Sequence, residues 1–164
     1  MRIFWASCSL TLTLLASVNS LPASAEEMVS KEAAKAHADL LDGGKYSLAE
    51  NRGRVTVLAM WSPDSLASRK SMGELDRFFA AYQPRDVSTL AVSTVRDAEV
   101  LRQFAAKRNL QVPLAMLDDH NLGPIKEHQL PVVYVFDRDG KFHSMHVGLF
   151  SYRVLERLVA PLIR

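Results

Sequence analysis

Val55-Thr56-Val57-Leu58-Ala59-Met60-Trp61-Ser62-Pro63-Asp64-Ser65-Leu66-Ala67-Ser68-Arg69-Lys70 decides how this chain is read. Its first half is a nearly continuous apolar run of strand length, which suits a central strand covered on both faces. A short polar turn follows, and then an amphipathic pattern opens. Asp64 or Ser65 caps a helix reaching about Tyr82, with Met72, Leu75, Phe79 and Tyr82 on one core face. A strand that feeds a helix in this way aims free N–H groups and a positive dipole end at the turn. Here that place carries two serines, Ser65 and Ser68.

Downstream, Val87 to Thr94 reads as a second buried strand, and Asp97 caps a helix carrying Val100, Leu101, Phe104 and Ala105. Val112 to Leu117 is a shorter extended piece. Asp118 to Gln129 reads as a turn and short helix. Leu130-Pro131 precedes a strand, Val132 to Phe136. Asp137-Arg138-Asp139-Gly140 turns the chain into a returning strand, Lys141 to Val147. Ser151 opens a last helix with Val154, Leu155, Leu158, Val159 and Leu162 inward. Helices crossing between strands predict an α/β protein with a mostly parallel sheet, closed by an antiparallel hairpin at one edge.

Upstream, Lys45 to Gly53 reads as a short extended segment and a turn. Glu26 to Leu41, rich in alanine and stopped by Gly43-Gly44, predicts a helix, so residues 26–44 form a helical extension to a domain spanning 45–164. Residues 1–25 are different in kind. They hold no acid and one base, Arg2, then an apolar run from Ile3 to Val18, Pro22 and the triplet Ala23-Ser24-Ala25. This is the pattern of a secretory signal peptide cleaved after Ala25, and it predicts a periplasmic or secreted protein. Retention as an anchor is the alternative. Cleavage would remove Cys8, the only cysteine, and leave a protein without thiols in a compartment that permits disulfides.

The 164 residues are 48% hydrophobic and 23% charged with a formal net charge of +2, so no strong field argues for nucleic acid or an anionic membrane. Ser65 and Ser68 lack the Gly-x-Ser-x-Gly elbow and the histidine placement of a serine nucleophile, which leaves helix capping as their reading. His143 and His146 fall on opposite faces of a strand, and Met60, Met72 and Met116 sit in apolar runs. No metal ligands and no cofactor are therefore assigned.

Order and motifs together resemble the thioredoxin-like superfamily, more narrowly its exported TlpA/ResA-type branch. The resemblance runs from about Lys45 to Ile163. It rests on Leu48 to Gly53, the strand ending at Trp61, Arg69 to Leu75, Leu130-Pro131 with its strand and hairpin, and Gly148. It implies a thioredoxin-like fold, a central mixed sheet flanked by helices, with a C-terminal hairpin and helix. It also places the family's C-x-x-C on Ser65-Leu66-Ala67-Ser68, so both redox cysteines are serine. An alcohol forms no S–S bond and has a far higher pKa than a thiol, so the family's reaction is denied. The resemblance further implies a cis Pro131 beside that turn, with the Leu130 backbone available for strand addition.

The expectation is an exported, redox-inactive accessory protein with no catalytic residues. It binds a protein or extended peptide through Trp61, Pro63, Asp64, Ser65, Leu130 and Pro131, with no nucleic acid and no stable membrane insertion. The alternatives are a thiol-disulfide oxidoreductase by family analogy and a metal-handling accessory protein.

Overall fold

A computed structural model describes residues 33–163. The signal-peptide reading of residues 1–25, and residues 26–32 of the expected helical extension, lie outside them.

Seven strands form one sheet: β1 (Ala36–Leu40), β2 (Lys45–Ser47), β3 (Val55–Trp61), β4 (Val87–Ser93), β5 (Leu114–His120), β6 (Val132–Phe136) and β7 (Phe142–Val147), in the order β2-β1-β5-β4-β3-β6-β7. Three helices accompany them: α1 (Leu66–Tyr82), α2 (Ala98–Arg108) and α3 (Tyr152–Val159). This is the mixed α/β sheet that the sequence predicts. Every residue of β3 is buried, as a strand covered on both faces requires. It runs parallel to β4, with Val55 opposite Val87 and Trp61 opposite Ser93, and antiparallel to β6, with Thr56 opposite Phe136.

Side-chain alternation along β3 divides the core in two. Val55, Val57, Ala59 and Trp61 face Met72, Leu75 and Phe78 of α1, Leu101 and Phe104 of α2, and Leu155 and Val159 of α3. Leu58 and Met60 face the other way, joined by Leu90, Val92, Leu122, Leu130, Val132, Tyr134 and Phe136. Each such side chain withdrawn from water contributes about 1.5–3 kcal/mol before ordering costs. The β6–β7 hairpin closes as expected: Asp137 Oδ1 accepts the N–H groups of Asp139 and Lys141, both at 2.9 Å, and Gly140 takes a φ of 78°.

One expectation is overturned. The predicted helix from Glu26 to Leu41 is, over Ala36–Leu40, the strand β1, pairing antiparallel with β2 and with β5. Ala36 and Ala38 are buried, a period of two. Alanine's helical preference is worth less than the two ladders and the burial that the strand gains. The short helix expected between Asp118 and Gln129 is also reduced: β5 continues to His120, and only a 3-10 turn, Glu127–Gln129, remains. Among the described residues no helix is long and apolar enough to cross a membrane.

Candidate functional site

The turn between β3 and α1 is built from hydroxyls. Ser65 is the N-cap of α1, in extended conformation, and its Oγ accepts the Ser68 N–H at 3.2 Å. Ser62 is buried, and its Oγ accepts the Asp64 N–H at 3.1 Å. The Ser62 N–H in turn donates to Ser68 Oγ at 3.3 Å. Arg69 reaches back from the first turn of α1, donating from Nη1 to the carbonyls of Pro63 (2.8 Å) and Asp64 (3.1 Å). These bonds tie the turn to the first turn of α1.

Across from this turn lies the segment leading into β6. The Leu130–Pro131 peptide bond is cis, as the resemblance implies. The Ser65 hydroxyl donates to the Leu130 carbonyl at 3.2 Å, and the Leu130 N–H donates to the Glu127 carbonyl, also at 3.2 Å. Both backbone groups of Leu130 are thus engaged within the chain. The Pro131 carbonyl accepts the Gly148 N–H at 2.8 Å, and Phe150 N–H donates to Ser71 Oγ on α1 at 3.1 Å. The segment from Gly148 to Phe150 therefore bridges the proline loop and α1. Glu74 completes the frame: its Oε2 accepts the Tyr152 N–H at 2.8 Å at the start of α3. That bond, followed by the charge of Arg77, holds the Glu74 carboxyl below the usual carboxylate range.

Of the expected binding residues, Ser65, Leu130 and Pro131 come together. Pro63 and Asp64 sit beside them on the turn, Pro63 half-buried and Asp64 exposed. Trp61 does not join them, which corrects the expected groove. It is fully buried on the helix-covered face, its ring 4.8 Å from that of Phe104, whereas Leu130 packs in the core on the opposite face. The Leu130 side chain is itself buried. Two residues not singled out from the sequence stand out instead: Leu66, directly after Ser65, and Leu149, directly after the Gly148 bonded to Pro131, have 59% and 58% of their surface exposed. Leu66 lies off the Met72–Leu75–Phe79 stripe at the start of its helix, and that departure was its only signal.

The site's chemistry is limited by its partners. The Ser65 hydroxyl proton is directed at a carbonyl, which cannot take it up as a base, and no histidine is within hydrogen-bond reach of Ser65 among the described residues. Among the described residues no group of three or more His, Cys, Asp or Glu side chains is placed to hold a metal ion. A cleft of about 240 Å³ lies far away at the β1–β2 edge, lined by His37, Asp39, Lys45, Tyr46, Glu50 and Asp118. Its Lys45 and Asp39 pair with each other at 2.7 Å.

A central strand leading through a capped turn into a helix, with a cis-proline segment opposite and a closing hairpin and helix, defines a thioredoxin-like protein. Residues 29–145 match the model of the AhpC/TSA family, and the chain belongs to that family. It is 23% identical over 134 residues to the thiol-disulfide oxidoreductase ResA of Bacillus cereus, covering 78% of this chain and 75% of that protein. It is 26% identical over 110 residues to the thiol-disulfide oxidoreductase YkuV of Bacillus subtilis (strain 168), covering 63% and 74%. Among solved structures, a thiol:disulfide interchange protein of the thioredoxin family from Chlorobium tepidum TLS superposes with a TM-score of 0.68 at 15% identity, over 80% of this chain and 95% of that one.

Proposed function

We propose that this protein is an exported, redox-inactive member of its family that binds a partner protein or an extended peptide. The observation that carries the reading is the absence of any cysteine after Cys8, with Ser65 and Ser68 at the turn. A dithiol–disulfide cycle needs two sulfurs, one to attack and one to resolve the mixed disulfide. In this reading the two serines occupy the positions of the family's redox cysteines. Ser65 serves instead as helix cap and as a tie to Leu130.

Recognition then rests on shape. Because the Leu130 N–H and carbonyl are already bonded, strand addition at Leu130 would have to displace the Glu127 contact or share the carbonyl with Ser65. The exposed leucines Leu66, next to the Ser65 cap, and Leu149, next to the Gly148 that bonds Pro131, supply the apolar contact instead. Export follows from the signal-like residues 1–25, with cleavage after Ala25.

The test is crosslinking and pull-down from the exported fraction of the source cells, comparing wild type with Leu66→Asp and Leu149→Asp. Both exposed substitutions leave the core intact. The wild type is expected to capture one protein or a small set that both variants lose. Equal capture by all three proteins would overturn the docking site.

A further inference from the structure

Leu149 is 58% exposed, so packing does little to hold it, yet the chain around it is fastened at three points. Gly148 N–H donates to the Pro131 carbonyl at 2.8 Å, and Phe150 N–H donates to Ser71 Oγ at 3.1 Å. The third point is the carbonyl of Leu149 itself, 3.1 Å from Nε2 of His146. Among the described residues this is the one hydrogen bond found to a backbone group of Leu149. The peptide unit joining Leu149 to Phe150 is thus gripped on both sides, its carbonyl by His146 and its N–H by Ser71.

The sheet places His146 for this contact. It stands opposite Val133, whose side chain belongs to the helix-covered core, so its half-buried ring lies on that face of β7. Gly148, with a φ of 89°, then bends the chain, and the Leu149 carbonyl comes back to the ring three residues on. A carbonyl oxygen only accepts, so the ring must donate. In the neutral imidazole the proton is therefore on Nε2 and the lone pair on Nδ1. The imidazolium would donate from the same atom.

We propose that His146 is a positioning residue of the partner site: its Nε2–H holds the Leu149 carbonyl and keeps the exposed Leu149 side chain in one place next to the Gly148–Pro131 bond. The role rests on the reading of Leu149 as a partner contact. Ordering an exposed leucine costs backbone and side-chain freedom that burial does not return in the free protein. A hydrogen bond made before the partner arrives meets part of that cost in advance, so less is lost on association. Without it, the Leu149–Phe150 peptide keeps only its bond to Ser71.

His146→Gln and His146→Met test this as a pair, since the two new side chains are alike in length and only the first carries a donor. Hydrogen exchange of the Phe150 amide, taken relative to the β3 amides, is expected to quicken about fivefold in His146→Met and to stay within about twofold of wild type in His146→Gln. Nitrogen NMR of the wild-type ring, at a pH where it is neutral, is expected to place the proton on Nε2. In crosslinking with the exported fraction, His146→Gln is expected to capture as the wild type does and His146→Met to lose capture, per folded molecule. A ring protonated on Nδ1, equal Phe150 exchange in the two variants, or full capture by His146→Met would each overturn the role of His146. No capture by the wild type would instead strike the partner reading, and the ring and exchange results would still decide whether His146 holds Leu149.

Discussion

The Ser65 hydroxyl donates to the carbonyl of Leu130 at 3.2 Å while accepting the N–H of Ser68 at the same distance. One side chain thus caps α1 and fastens the proline loop to it, across 65 positions of sequence. A thiolate at this position would keep only the accepting half of that arrangement. Serine is here a structural element with its own bonds, and its consequences are measurable.

Ser65→Ala removes both bonds and leaves the first-turn N–H of Ser68 without its cap. The expected loss is about 1–2 kcal/mol in urea unfolding. Exchange of the Ser68 amide is expected to rise more than that of the β3 amides. Unchanged stability would mean that the hydroxyl is replaceable by water at both ends.

Trp61→Ala distinguishes a core residue from a wall of the binding groove. A fully buried tryptophan whose ring packs, tilted, against that of Phe104 is expected to cost about 3–5 kcal/mol when truncated. Partner capture per folded molecule, measured well below the unfolding midpoint, is expected to stay at the wild-type level. Lost capture with unchanged stability would restore Trp61 to the site.

Acid sensitivity has an identifiable source in Glu74. Its carboxyl is held below its ordinary value of 4.5, first by the Tyr152 N–H and then by Arg77. A carboxylate whose folded pKa lies below its unfolded one adds stability above the unfolded value. That contribution falls away as pH drops from about 4.5 through the folded value. Glu74→Gln is therefore expected to be less stable than wild type at pH 7, with the difference shrinking toward pH 3. Urea midpoints at several pH values read this, and a constant gap would remove Glu74 as the source.

How far the sequence carried these conclusions depends on whether each contact was local. The β3 run, a helix cap at Asp64 or Ser65, the Asp97 cap and the Asp137 turn were all legible, because each is written in a few adjacent residues. The strand at Ala36–Leu40 was not, since its alanines favour a helix and its partner at His120 lies far along the chain. The burial of Trp61 away from Leu130 was also hidden. A continuous apolar strand does not say which of its side chains go to which face. The same limit hid the bond from Ser65 to Leu130, while Leu130-Pro131 itself was found through resemblance.

Ser65→Cys with Ser68→Cys tests whether the turn has kept the shape of its family. The two positions sit at the N-cap and first turn of α1, where a spacing of three suits a disulfide. The double variant is expected to oxidise readily, with a mass loss of about two hydrogens and no free thiol at these sites. Failure to oxidise would mean that the hydroxyl network has moved the turn away from redox geometry.

Insulin reduction with dithiothreitol measures the central claim most directly, with the oxidisable double variant as its positive control. The wild-type protein is expected to match the rate of dithiothreitol alone, while the double variant exceeds it. Turnover by the wild type above that background would contradict a redox-inactive protein.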